Sequence, residues 1–239
     1  MTPAWYVLRS RSWIARWVNL FHWPYSGWHL SYPMLGAGLT LGPDLVLLGW
    51  TVLAFFLGMG VGAHAFDILK GDPLRLALPR WQLHVAGALS IGLAGGIGLW
   101  QITLGNVSPW LTLAVAAGMV FASGYGLEWK GLHGDVQFAL WWAVFPLLVG
   151  YLAQGIEWSW ALVPAVAFAF LTATAQRVLS TRVRYLRRSV EHVEVRLRLN
   201  YSGSFNQFGR PWLLYPEEEA LKLLSFAMPA VAIMMVIND

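Results

Sequence analysis

His64, Asp67 and Asp72 are the residues of this chain best placed to do chemistry. They stand in the stretch Gly62-Ala-His-Ala-Phe-Asp-Ile-Leu-Lys-Gly-Asp-Pro-Leu-Arg75, with a long apolar run on either side. Ionisable groups at the edge of hydrocarbon are costly, and where they persist they usually serve a function. His64 and Asp67 are three apart, so on a helix they share a face. Asp72 follows in a Lys-Gly-Asp-Pro turn, where Pro73 prevents simple continuation of the helix.

A second stretch, Tyr125-Gly-Leu-Glu-Trp-Lys-Gly-Leu-His-Gly-Asp135, carries the same ingredients in Glu128, Lys130, His133 and Asp135. Carboxylates that share a pocket repel one another unless a cation or proton relieves them. A hard cation such as Mg²⁺ does so, using one or two carboxylates together with phosphate oxygens of a ligand. Lysine and arginine then take the remaining phosphate charge. The pattern suits a diphosphate headgroup whose apolar tail lies between helices. It predicts that Asp67 and at least one of Glu128 or Asp135 face a shared cavity. The plainer reading is that Lys70, Asp72 and Asp135 are solvated ends of helices and that His64 and His133 are hydrogen-bonded structural histidines. His22, His29 and His84 lie amid aromatics and read as interfacial or packing residues. The 15 tryptophans read as interface anchors and helix packing.

Those residues need elements to hold them. At 57% hydrophobic and 12% charged, with a mean hydropathy of +0.54, the chain reads as a polytopic membrane protein. There is no cysteine, which excludes disulfides and thiolate metal sites. A net charge of +4 in such a chain reports orientation and lipid headgroups, so no nucleic-acid partner is expected. Neither a signal peptide nor a lipidation signal is expected. Residues 1–23 mix arginines with Trp5, Tyr6, Trp13 and Trp17, as in a helix lying in the headgroup region. Seven apolar segments follow, at 24–42, 44–66, 81–103, 108–126, 136–154, 157–176 and 218–236. A membrane crossing takes about 20 residues, so seven spans are expected.

Basic residues orient this arrangement. Arg9, Arg11 and Arg16 precede the first segment; Lys70, Arg75 and Arg80 follow the second; Lys130 follows the fourth; and the arginines from Arg177 to Arg210 separate the sixth from the seventh. With Lys222 in the opening turns of the seventh segment, all 16 basic residues fall on one face of a seven-span chain. That face is cytoplasmic by the positive-inside rule, which puts the N-terminus inside and the C-terminus outside.

Residues 177–216 form the longest stretch outside the membrane. Its first part, up to Arg188, is strongly basic and reads as a headgroup-facing surface helix. Val193 to Leu199 alternates apolar and charged residues, which is strand periodicity. Tyr201-Ser-Gly-Ser204 is a turn signal, and a second strand including Trp212 to Leu214 would complete a small hairpin. The expected organisation is a basic, aromatic interfacial segment over 1–23, a six-helix membrane bundle over 24–176, the basic segment and hairpin over 177–216, and a seventh helix over 217–239.

The segment from Gly62 to Asp72 resembles the first aspartate-rich motif of UbiA-type prenyltransferases, Asn-Asp-x-x-Asp-x-x-x-Asp. Tyr125 with Trp129-Lys130 and Gly134-Asp135 resembles that family's Tyr-x-x-x-Lys loop. The likeness covers roughly residues 20–180. The sequence departs from the family in four places. Ala63 and His64 stand where Asn and Asp are expected, and Asp72 and Lys130 each come one position late. No acidic residue follows helix six before Glu191, so the second aspartate-rich motif is missing. Family members usually have nine helices, against seven here.

The resemblance implies a shortened UbiA-like all-α bundle with a lipid-accessible cavity, in a multi-pass protein of a prokaryotic plasma membrane. It implies an enzyme moving a polyprenyl group from a diphosphate donor to a lipidic or small acceptor. Asp67 and Asp72 would bind Mg²⁺ and diphosphate, with Asp135 completing the metal site. Lys70, Lys130, Arg177 and Arg182 would neutralise phosphate oxygens. Glu128 would act on the acceptor or the metal, and Tyr125 would orient the diphosphate or stabilise a developing cation. The alternative is a non-catalytic membrane subunit that binds lipid or an isoprenoid and docks a protein partner through 177–216. A transporter is a third option, weakened by the lack of a charged residue mid-membrane.

Overall fold

A computed structural model describes residues 2–10, 12–155, 158–201 and 204–237. Arg11, the Ser-Gly pair of the 201–204 turn and the last two residues of the 217–239 segment lie outside the described residues.

The N-terminal stretch folds back on itself. Ser12 caps helix α1 (Trp13–Leu20), its Oγ accepting from the Ala15 N–H at 3.2 Å. The Asn19 side chain then brackets Leu8, accepting from its N–H at 2.8 Å and donating to its carbonyl at 3.1 Å. Trp13 and Ile14 stay exposed while Leu20 is buried, the two-sided pattern of a helix lying along a surface.

Among the described residues seven further helices follow: α2 (Trp23–Ala37), α3 (Leu45–Lys70), α4 (Arg80–Thr103), α5 (Leu111–Gly126), α6 (Asp135–Gln154), α7 (Leu162–Arg188) and α8 (Arg210–Ile237). Each apolar segment of the sequence is thus helical. Five of the helices, α3, α4, α6, α7 and α8, are long and apolar enough to cross a membrane. The architecture is that of an all-α, multi-pass membrane protein. The other two are shorter than the segments 24–42 and 108–126. With 15 and 16 residues, α2 and α5 fall short of the roughly 20 residues of a full crossing.

Helix α2 runs through the centre of the bundle and packs on both α6 and α8. It approaches α6 through glycine. A Cβ at Gly36 would fall 2.0 Å from the Leu147 carbonyl oxygen, and one at Gly150 would fall 2.1 Å from that of Pro33. Backbones this close exclude any side chain, which is how small residues bring membrane helices together. Two helices leave regular α geometry. In α3, Phe56–Ala63 widens to a π-helix, and in α6, Leu140–Val144 does the same.

Two boundaries differ from the sequence reading. The sixth apolar segment and the basic run after it are one unbroken helix, α7, ending at Arg188. Its 27 residues would measure about 40 Å, some 10 Å more than a hydrocarbon core. The hairpin consists of β1 (Glu194–Arg198) and β2 (Phe205–Gly209), antiparallel, with Val195 opposite Phe208. Trp212 to Leu214 are therefore not in its second strand. They lie in the first turn of α8, which Pro211 opens with a fixed φ and no missed hydrogen bond.

Candidate functional site

The ends of α3, α5, α6 and α7 meet the N-terminal stretch around one polar cavity. Its lining includes Asp67 and His64 of α3, Tyr125 of α5, Phe138 and Trp142 of α6, and Gln176, Arg177, Arg184 and Arg188 of α7. Pro3 to Tyr6, His22, Tyr25 and His29 close it from the N-terminal side. The cavity has a volume of about 140 Å³ and is open at its mouth.

Positions 177, 184 and 188 are seven and eleven apart, so the three arginines lie within about 40° of one another on α7. Arg177 is held by Asp135, Nε to Oδ1 at 2.7 Å, and its guanidinium sits 5.4 Å from the centre of the Phe138 ring. Arg184 donates to Thr181 Oγ1 at 3.0 Å, and Arg188 donates to the Pro3 carbonyl at 3.3 Å. Among the described residues, neither Arg184 nor Arg188 has a carboxylate within ion-pair distance. The charges of both are felt across the cavity. Burial pushes the Tyr6 phenol well above its usual pKa, reinforced by Tyr25 and opposed by Arg188 and Arg184. Burial likewise holds His22 well below the ordinary histidine pKa, with His64, Arg188 and Arg184 pushing the same way. The His22 ring lies tilted at 42° with its centre 4.5 Å from that of His64, and its backbone sits in the left-handed region at φ 46°.

Three more imidazoles have fixed tautomers. His64 Nδ1 meets the Gly60 carbonyl, His29 Nδ1 that of Trp142, and His133 Nδ1 that of Tyr125, each at 3.0 Å. A carbonyl can only accept, so each Nδ1 carries the proton and each neutral ring keeps a lone pair on Nε2. Gly60 and Trp142 both belong to π-helical stretches. Five buried polar atoms at the cavity wall find no hydrogen-bond partner among the described residues: the Tyr125 hydroxyl, Trp5 Nε1, Trp142 Nε1, His22 Nε2 and Gln176 Oε1. Buried polar groups are ordinarily paired, so these five mark a place for a polar ligand or water.

Trp142 also walls a second cavity of about 130 Å³ between α3, α4, α5 and α6. Its lining is almost entirely apolar, including Trp50, Phe55, Ala94, Ala114, Phe121 and Phe145. A cation-rich polar cavity and an apolar one thus meet at a single tryptophan.

The fold brings together five of the residues marked in the sequence: His64, Asp67, Tyr125, His133 and Arg177. The others lie elsewhere. Asp72 accepts from the Leu76 and Ala77 N–H groups at 2.8 Å and organises its own turn. Asp135 is 78% exposed and reaches the cavity only through Arg177. Glu128, Lys70 and Lys130 are exposed and do not line the cavity. Arg182 points outward to Glu217, 2.9 Å away. The sequence reading missed Arg184, Arg188, Gln176, Tyr6 and His22. The arginine spacing of seven and eleven was a usable signal once α7 is carried past residue 176. No local signal marked the N-terminal residues, which arrive by folding back.

Among the described residues, no group of three or more His, Asp or Glu gathers to hold a metal. Asp67 is the carboxylate that lines the cavity. A lone carboxylate completed by ligand phosphate oxygens is a donor set that Mg²⁺ uses, so Asp67 fits that cation only in the presence of a phosphate ligand.

Comparison with family models, with curated proteins and with solved structures finds no match to this chain.

Proposed function

We propose that the protein binds an anionic amphiphile of the isoprenoid diphosphate class, with its headgroup among Asp67, Tyr125 and Arg177 and its chain in the apolar cavity beyond Trp142. We propose further that it transfers the prenyl group to a lipidic or small acceptor, as the likeness to UbiA-type prenyltransferases implies. The observation that carries this reading is the junction of a cationic cavity with an apolar one at Trp142. Such a pair matches a molecule that is charged at one end and hydrocarbon at the other.

In this reaction the carbon–oxygen bond of the donor breaks and diphosphate leaves with the electron pair. The acceptor's nucleophile takes the prenyl carbon and gives up a proton. Arg177 stabilises charge on the departing oxygens without reorganising, since Asp135 already fixes its side chain. Tyr125, Phe138 and Trp142 line the wall where positive charge would develop on carbon, and aromatic rings can attract cations. Asp67 is the carboxylate placed to receive the acceptor's proton. Mg²⁺ held by Asp67 and the phosphate oxygens would add charge neutralisation. The test incubates purified protein with labelled prenyl diphosphates of several lengths and membrane lipid extract. Turnover supports the reading, and no turnover with any donor removes the transferase.

A second reading is a non-catalytic subunit. The hairpin favours it, because Leu199, Tyr201 and Phe205 are exposed at its end, 39%, 105% and 63% respectively. Deletion of 194–209 with loss of a co-purifying protein, together with no turnover, selects this reading.

In the membrane we propose seven spans, with α2 and α5 crossing in a locally thinned or protein-shielded region and the cavity at the cytoplasmic face. All 16 basic residues on one side support this orientation, in the plasma membrane of a prokaryote.

A further inference from the structure

Helix α7 carries arginines of two kinds. Arg182 and Arg187 each have a carboxylate: Glu217 at 2.9 Å and Glu218 at 2.6 Å. Arg184 and Arg188 line the cavity and have none among the described residues. Arg184 is half-buried and Arg188 stands exposed at the cavity mouth, and both cations beside Arg177 repel one another. Residues lining the same cavity carry donors with no acceptor, among them two on well-buried side chains. The Tyr125 hydroxyl and Trp142 Nε1 belong to side chains only 8% and 5% exposed, and neither finds a partner. Three arginines against the single Asp67 carboxylate, with neither Arg184 nor Arg188 in an ion pair among the described residues, and unpaired donors around one space call for a ligand that is anionic and rich in acceptor oxygens. Phosphate meets both needs, because its oxygens match the guanidinium fork two at a time.

We infer that Arg177, Arg184 and Arg188, with Tyr125 and Trp142, form a phosphate or diphosphate site that needs no divalent metal, closed on its outer side by residues 3–6. This deepens the amphiphile reading and rests on it for the tail, not for the headgroup. Three guanidiniums already supply the positive charge that a metal would bring, and Asp67 is a single carboxylate. The Pro3 carbonyl takes one donor of Arg188 and leaves the rest of its guanidinium to the ligand. Asp135 takes one donor of Arg177 in the same way.

The test titrates inorganic pyrophosphate into the full-length protein in phosphatidylcholine nanodiscs with EDTA, read by calorimetry. Binding is expected in EDTA, with Mg²⁺ changing the affinity less than about threefold. Arg184→Gln and Arg188→Gln are each expected to weaken it about tenfold or more, on the scale of one lost charge-assisted pair. Arg182→Gln, on the opposite face, is expected to leave it unchanged. Arg184→Lys keeps the charge without the fork and is expected to fall between, provided its thermal midpoint matches the parent. Binding that requires Mg²⁺, or an Arg184→Gln protein that binds like the parent, overturns the site. So does equal loss in Arg182→Gln, which would make the effect one of diffuse charge. Repeating the titration in nanodiscs with phosphatidic acid names the source. Displaced pyrophosphate assigns a lipid headgroup, and undisplaced pyrophosphate assigns a soluble or prenyl diphosphate; both support the site. Pyrophosphate binding without turnover of any prenyl diphosphate leaves this site and removes the transferase. Mg²⁺-dependent turnover with no binding in EDTA does the reverse.

Discussion

Arg187 and Glu218 clasp one another between α7 and α8 through two N–H···O bonds of 2.6 Å, with side chains 8% and 9% exposed. The geometry is the bidentate fork that makes arginine–carboxylate pairs strong. Removing one partner leaves the other charge buried and alone, which costs about 3–5 kcal/mol. Arg187→Met and Glu218→Gln are each expected to destabilise by that order, and Arg187→Met with Glu218→Leu to recover most of the loss. Unfolding of the four proteins in one detergent checks this. Arg187 also donates to the Thr2 carbonyl at 2.9 Å, so Arg187→Met should expose the first residues to proteolysis.

Asp67→Asn keeps the shape of the side chain and removes its charge. On the transferase reading it is expected to fold normally and to lose turnover about a hundredfold or more, the scale of a general base. An assay with the best donor, beside a thermal midpoint, separates lost chemistry from lost fold. Parent-level turnover would clear Asp67 of the role.

The apolar cavity gives a prediction independent of charge. Ala114 is part of its wall, so Ala114→Trp fills space that a prenyl chain would use. Binding of long prenyl diphosphates is expected to weaken about tenfold while inorganic pyrophosphate binds as before. Competition binding over a series of chain lengths reads this out.

His22 sets a pH dependence. Its folded pKa lies below the ordinary value near 6.5, so the unfolded chain takes up the proton first as pH falls. Its contribution is fully present above about pH 6.5 and is lost as pH drops below it. His22→Asn tolerates the left-handed backbone and cannot titrate. Its thermal midpoint is expected to vary less between pH 7 and pH 5 than that of the parent.

Orientation is testable because the chain has no cysteine. Ser189→Cys follows α7 directly, and Leu104→Cys stands beyond α4, 55% exposed. A membrane-impermeant maleimide applied to intact cells should label Leu104→Cys and not Ser189→Cys. The opposite pattern would invert the chain.

Much of the scaffold was legible, because apolar runs of some 20 residues have few alternatives to a helix. Asp67, Tyr125 and Arg177 were legible because each stands where an apolar run meets polar sequence. Arg184 and Arg188 were not, since the polar composition after residue 176 read as the end of a span. The helix runs on because nothing in Arg177–Arg188 breaks it, with no glycine or proline before Ser189. The second strand was misplaced for a related reason. Trp212 to Leu214 are apolar enough for a strand, but Pro211 suits a first helical turn better than a ladder. His22 and Tyr6 depend on a long-range fold-back that no periodicity encodes.

The π-helical stretch of α3 carries one more consequence. Each residue added to a helix advances its phase by about 100°. Phe56–Ala63 widens the turn to absorb such an excess, so the helix before it and the helix after it are indexed differently. Leu47 and Leu48 face the bundle on one count; His64 and Asp67 face the cavity on another. Deleting one residue there would remove the excess and let the stretch close to regular α geometry, with both halves keeping the faces they now present. The widened turn is thus what lets a helix one residue too long for a single α register seat Leu47 in the bundle and still present Asp67 to the cavity.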